Sequence, residues 1–170
     1  MQAQATDWNT APLGALVKHI VSRHHEYLKL ELPRLAQRLS KSIAVSDALA
    51  PIADFFYPMQ QELELHMHKE EMMLFPAIEQ MARPGGVAMF PFGSLANPIR
   101  VMMAEHDSAF DALSEIRGAT GNYALPADAR AVQRELFEGM EALERDLREH
   151  VHLENDILFP RALLLESGRS

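Results

Sequence analysis

The sequence predicts an all-α fold, an antiparallel up-down-up-down four-helix bundle built from a single chain of 170 residues. Three observations predict it. Four long stretches carry apolar residues at helical spacing, with three breaks between them and nothing that reads as a strand pair. The breaks are rich in Gly and Pro or contain Ser, as helix-ending segments are. A short motif also occurs twice. His66-Met-His-Lys-Glu70 runs into Glu71-Met-Met-Leu-Phe-Pro76, and His150-Val-His-Leu-Glu154 runs into Asn155-Asp-Ile-Leu-Phe-Pro160. Residues at i and i+4 share one face of a helix, so each copy sets an imidazole beside a carboxylate.

The first helix is expected from about Leu13 to Leu39, entered through Thr10-Ala-Pro12 as cap and early-turn proline. Pro33 lies inside it and is expected to bend or interrupt it. After a less periodic break around Ser40 to Pro51, the second helix is expected from about Ile52 to Met81, with Pro58 near its start and Pro76 near its end. The stretch from Arg83-Pro-Gly-Gly through Phe90-Pro-Phe-Gly to Asn97 reads as a loop. Asn97-Pro98 is the expected cap and first residue of a third helix running to about Arg117. Gly118-Ala-Thr-Gly-Asn-Tyr123 breaks it, and Pro126 opens the fourth helix, which extends to about Leu165.

Composition bounds the function. A chain of this length with 48% hydrophobic and 24% charged residues makes one domain with a core, expected over 1–170. A formal charge of −8 without a Lys/Arg cluster argues against nucleic acid as a partner. The absence of cysteine excludes disulfides, thiolate-bound metal and cysteine-ligated iron–sulfur clusters, leaving nitrogen and oxygen as the only donors. The opening Met1-Gln-Ala-Gln-Ala-Thr-Asp-Trp8 lacks a basic and apolar leader, and no apolar run approaches the roughly 18 residues of a membrane span. The expectation is a cytoplasmic protein with no membrane contact.

Counting about 100° per residue shows where each histidine points. On the fourth helix the apolar stripe is Leu136, Met140, Leu143, Leu147, Ile157 and Leu158, and His150 and Glu154 fall inside it. On the second, His66 and Glu70 fall among Met59, Leu63 and Met73. On the third, His106 lies amid Ile99, Met102, Met103, Phe110 and Leu113. On the first, the stripe of Leu13, Val17, Ile20, Val21, Leu28 and Leu35 has His24 near its centre and His25 toward one edge; one of the two faces the core, and the pattern leaves open which. The same count sends His19, His68, His152, Glu71 and Glu149 to the surface. The methionines Met67, Met72, Met73, Met102 and Met103 read as core packing. Phe90-Pro-Phe92 either covers the end of the bundle or forms a docking patch.

Polar groups set repeatedly on core faces violate the binary pattern, and burying them unpartnered costs several kcal/mol each by rough transfer estimates. A metal removes that cost by making them ligands. One helix-1 histidine, His66, Glu70, His106, His150 and Glu154 supply imidazole and carboxylate donors for two ions, which fit iron or manganese, with zinc as a further substitute. A single structural zinc needs only four of the six.

At this point the chain resembles a hemerythrin-type domain, most closely the C-terminal domain of the di-iron iron–sulfur cluster repair proteins. The residues that carry the resemblance are Asp7-Trp8, Ala11-Pro12-Leu13, His19-Ile20, Arg23-His24-His25 and Leu32-Pro33. They continue with His66, Lys69-Glu70-Glu71 and Leu74-Phe75-Pro76, then Pro98-Ile99, Met102 and Glu105-His106-Asp107, and finally His150, Leu153-Glu154-Asn155 and Leu158-Phe159-Pro160-Arg161-Ala162-Leu163. The resemblance implies a bundle holding two non-haem iron ions, oxo- or carboxylate-bridged. It selects His25 over His24, since the family's first ligand stands eight residues before the proline of Leu32-Pro33, and it maps the remaining ligands onto His66, Glu70, His106, His150 and Glu154. It also implies a further histidine where this chain has Ser46, so one ion is expected to lack a ligand that water, His24 or an exogenous group replaces. The cysteine-bearing N-terminal domain of the full-length family has no counterpart in the expected organisation.

The function so implied is a response to nitric oxide or oxidative stress, or repair of iron–sulfur centres. NO, O2 and iron–sulfur proteins are the implied partners, and the protein reads as a binder of metal and diatomic ligands more than a turnover enzyme. The rivals are a hemerythrin-type oxygen carrier, store or sensor, a nitric oxide or peroxide reductase, and a structural zinc bundle; fold likeness does not separate them.

Overall fold

The computed structural model describes residues 6–86, 89–125 and 127–168. Four long helical stretches form, and three of them are not uniform α-helices. The first, α1 (13–43), consists of α-helix Leu13–Ile20, a π turn Val21–His25 and α-helix Glu26–Ile43. The second, α2 (50–82), follows a 3-10 turn Asp47–Leu49 and consists of α-helix Ala50–Lys69, a π turn Glu70–Leu74 and α-helix Phe75–Ala82. The third, α3, is unbroken from Ala96 to Ala119. The fourth, α4 (131–167), consists of Ala131–His152, a π turn Leu153–Leu158 and Phe159–Ser167. Among the described residues there is no strand, only an isolated bridge between Phe90 and Gly93.

Several sequence-based expectations need correction. Pro33 does not interrupt α1; its ring is on the exposed side, and the irregular turn falls eight residues earlier. Thr10 is not the helix cap, since its hydroxyl turns back to Asp7. Helix α3 starts before Asn97, where Ser94 Oγ accepts from the Ala96 N–H, 3.1 Å away, and Leu95 donates to Glu166. Helix α4 begins at Ala131 and not at 126, entered by Gln133, whose side chain accepts from the Arg130 N–H at 2.8 Å. That is the reach-back half of a capping box, with arginine where Ser or Thr usually stands. Pro126 and the chain ends, 1–5 and 169–170, lie outside the described residues.

The helices pair α1 with α4 and α2 with α3. Residues 24, 35 and 38 of α1 meet 146, 139 and 135 of α4, and residues 62 and 66 of α2 meet 108 and 105 of α3. Gly139 is what permits the closest approach of α4 to α1, since a Cβ there would stand 2.7 Å from Leu35 Cδ2. Two apolar clusters result. One gathers Leu28, Leu35, Phe56, Met67, Leu113 and Leu147; the other gathers Leu16, Ile20, Phe75, Met102, Leu158 and Phe159. Phe90 and Phe92 stack on each other and lie against the second cluster, so this loop covers that end of the bundle.

The three π turns sit at the level between the two clusters. Each closes with an i→i+5 bond: Glu26 to Val21, Phe75 to Glu70 and Phe159 to Glu154. Each adds about one residue to a turn and rotates the downstream face by tens of degrees relative to a uniform count. His24 and His25 are therefore both fully buried, and Leu74 and Phe75 point inward in place of Met73, which is 41% exposed. The methionine reading is corrected accordingly. Met67 and Met102 are core residues, whereas Met72, Met73 and Met103 face out. The Phe-Pro that ends each copy of the repeat belongs to this device. Pro76 and Pro160 have no N–H for the carbonyls four residues back, which disfavours a regular α turn there.

Candidate metal centre

Six residues meet at the level of the π turns. Helix α1 brings His25, α2 brings His66 and Glu70, α3 brings His106, and α4 brings His150 and Glu154; none is more than 1% exposed. Their donor atoms fall into two groups, one of His25, Glu70, His150 and Glu154, the other of His66, Glu70, His106 and Glu154. Both carboxylates belong to both groups. Within each group the atoms lie within 4.8 Å of one another.

The local geometry is that of convergent lone pairs. His25 and His150 face each other through Nε2 atoms 3.2 Å apart, and His66 and His106 do the same at 3.0 Å. Glu70 Oε2 stands 3.3 Å from Nε2 of both His25 and His66, between the two groups. Glu154 divides its oxygens, Oε1 at 2.8 Å from His150 and Oε2 at 3.1 Å from His106. Both oxygens of Glu70 and one of Glu154 are buried without a well-aligned hydrogen bond. Such groups are normally satisfied or paired with a cation. Four imidazoles and two carboxylates in two overlapping groups give a nitrogen and oxygen donor set that could hold metal.

Outside this ring, three imidazoles are fixed from behind. His25 Nδ1 donates to Glu71 at 2.8 Å, and Lys29 holds Glu71 in turn. His66 Nδ1 donates to Glu105 at 2.9 Å, with Lys69 on the other oxygen. His106 Nδ1 lies 3.0 Å from Asn155 Oδ1. A carboxylate accepts only, so the Nδ1–H···O bond fixes the tautomer and leaves the Nε2 lone pair aimed inward. Glu71 is thus no idle surface residue, contrary to the helical count. Glu105 and Asn155 stand in the motif without an expected role, and only their adjacency to His106 and Glu154 signalled one.

Electrostatics reflect the crowding of charge. Burial opposes the charged form of His25, but hydrogen bonds to Glu154 and Glu70 and their charges outweigh it and push the ring up to about 10. The same contest, with Glu70 foremost against burial, puts His66 at about 9. Burial would raise Glu154, yet the charge of His150 and the hydrogen bonds of His106, His150 and His25 hold its carboxyl well below the ordinary range. Glu70 is lowered too, against burial and the neighbouring Glu154, by His66 and His25.

The remaining histidines divide. His68 and His152 are exposed, as the count predicts. His24 is buried beside the centre but belongs to neither donor group. It lies in a file of rings, Trp8 on His19 at 4.4 Å, His19 to His24 at 5.8 Å, and His24 on His150 at 5.4 Å. Ser46 is remote. It precedes the 3-10 turn at the far end of the 18-residue helix Glu26–Ile43, a distance of about 27 Å at 1.5 Å per residue. The expected gap in the ligand set at that position is therefore withdrawn, because both four-residue groups form without it.

The arrangement can be set beside known proteins. The model of the hemerythrin HHE cation binding domain matches residues 17–162, a span that includes all six residues. This chain belongs to the hemerythrin HHE family. Among curated relatives, the iron–sulfur cluster repair protein YtfE of Enterobacter sp. (strain 638) is 38% identical over 161 residues, covering 92% of this chain and 69% of the relative. YtfE of Citrobacter koseri and YtfE of Escherichia coli O81 (strain ED1a) are each 37% identical with the same coverage. Among the described residues no helix is long and apolar enough to cross a membrane.

Proposed function

We propose that this hemerythrin-family chain is an antiparallel up-down-up-down bundle that holds two iron ions. His25 and His150 are terminal ligands of one ion, His66 and His106 of the other, and Glu70 and Glu154 are shared by both. The observation that carries the reading is the double membership of the two buried glutamates, with their oxygens set between opposed pairs of imidazole nitrogens. Manganese or zinc are the substitutes the donor set admits.

Its role is that of its relatives' name, repair of iron–sulfur clusters, in a cytoplasmic response to nitric oxide or oxidative stress, with iron–sulfur proteins as partners. Bound iron supplies redox change and affinity for diatomic ligands such as NO and O2. The protein's part is to bury the ions, to fix the imidazole tautomers through Glu71, Glu105 and Asn155, and to shield the pair beneath Phe75, whose ring lies 5.6 Å from that of His25. Metal analysis of the purified protein, with absorption spectra before and after nitric oxide and oxygen, tests the centre. About two irons per chain with bridge charge-transfer bands are expected; one zinc and a featureless spectrum would sink it. Recovery of an inactivated iron–sulfur enzyme on adding the iron-loaded protein, and not the metal-free one, tests the repair role.

A further inference from the structure

The four imidazoles are not held alike. His25, His66 and His106 each have a side-chain oxygen behind Nδ1, at 2.8, 2.9 and 3.0 Å. His150 Nδ1 is buried with no hydrogen-bond partner among the described residues. What His150 has is a ring against its face. His24 is parallel to it within 7°, with centroids 5.4 Å apart.

His24 is itself pinned. Its Nδ1 lies 3.1 Å from Asp146 Oδ2, while Asp146 Oδ1 accepts from Arg23 at 3.3 Å. Asp146 stands four residues before His150, so the carboxylate that fixes His24 and the ring that His24 covers share one face of α4. His24 is fully buried, its Nε2 makes no hydrogen bond, and it enters neither donor group. A leucine would fill that space without desolvating an imidazole. A flat ring anchored by a buried carboxylate is a costly filler but a good guide for another flat ring.

We propose that His24, anchored by Asp146, is the positioning residue of His150. Its ring plane fixes the rotation of the His150 imidazole, a task that hydrogen bonds perform for the other three. The inference rests on the two-ion reading above and adds an asymmetry to it. The His66/His106 position has both rings locked by directional bonds. The His25/His150 position has one ring with no partner behind Nδ1, guided on its outer side by stacking, which permits sliding within the plane, so it holds its ion less tightly and releases it first.

The test is titration of metal-free protein with cobalt(II), followed by visible absorption and by competition with a chelator, on wild type, His24→Phe and His24→Ala. Wild type is expected to bind two ions of unequal affinity. His24→Ala should weaken the looser one by about 10–100-fold, as loss of an outer partner does, while His24→Phe keeps the flat ring and stays within about threefold of wild type. Circular dichroism establishes that each variant is folded; if His24→Ala is not, His24→Leu, which fills space without a flat face, takes its place in the comparison. Unchanged affinity in His24→Ala or His24→Leu would overturn the proposal. So would an equal loss in His24→Phe, which would mean that the imidazole chemistry and not the ring plane is needed. Wild-type protein that takes up a single cobalt ion would overturn the two-ion reading, and this inference with it.

Discussion

At the scale of single residues, the shared glutamates are predicted to behave differently from the histidines. Each imidazole serves one group, whereas Glu70 and Glu154 serve both. Glu70→Gln should therefore weaken both ions, by at least about 10-fold each, and His106→Ala only one. Metal content after dialysis against a graded chelator series distinguishes the cases; a Glu70→Gln protein that keeps one tight ion would refute the bridging role. How much of this was legible in the sequence differs residue by residue. His66, Glu70, His106, His150 and Glu154 were readable because a polar residue on an apolar stripe is an anomaly that needs a cause. Glu71 was not, because it reaches the back of His25 from another helix, and a count along one helix is blind to its neighbours.

At the scale of elements, the π turns explain why uniform counting failed at His25 and Met73. The count assumes one period from end to end; it rightly placed His24 inside the stripe, but it put the buried His25 at its edge and the exposed Met73 in the core. Both errors lie within a π turn; on α3, which has none, the count was right at His106 but not at Met103, which is 41% exposed. Boundaries were legible at Pro12 and Pro51, whereas Pro126 marked a start that falls instead at Ala131. They were missed where the cap is a side chain of unusual type, as with Gln133 at the start of α4. Deletion of the exposed Ser22 should turn the first π turn into regular α-helix. The bundle should then keep its helix content and a melting temperature no lower than that of metal-free wild type, while the segment before residue 22 turns by about 100° relative to His24 and His25. Metal affinity should fall at one position. Thermal unfolding of the metal-free deletion protein checks the first expectation and cobalt titration the second; a strong loss of stability would mean the π turn is a structural requirement of the helix and not a local adjustment for the site.

At the scale of the whole molecule, the buried centre makes stability depend on pH in opposite ways with and without metal. In the metal-free protein the Glu154 and Glu70 carboxyls are lowered from 4.5, so their contribution is full above that value and is lost as the pH falls through their folded-state values. His25 is raised from 6.5 to about 10 and His66 to about 9, so their contribution is full below 6.5 and is lost as the pH climbs through 9 and 10. Metal-free protein should be most stable between the two ordinary values, near pH 5 to 6. Metal requires the imidazoles unprotonated and binds only the folded state, so the stabilisation it adds should grow from pH 6 to pH 8. Melting temperatures of both forms across that range test this; parallel curves would refute it.

Trp8 is the only tryptophan in the chain, and its carbonyl is held by Arg161 of the last helical segment while its ring rests on His19. Beyond His19 the rings continue through His24 to His150. The molecule thereby carries its own lamp. One indole, its ring on His19 and its backbone carbonyl held by Arg161, should dim when iron fills the centre and brighten when a chelator empties it. The same emission should shift to longer wavelength if the final helix lets go of residues 8–11. Loading and fraying, two events that most probes confuse, would then be read as intensity and colour from a single natural fluorophore.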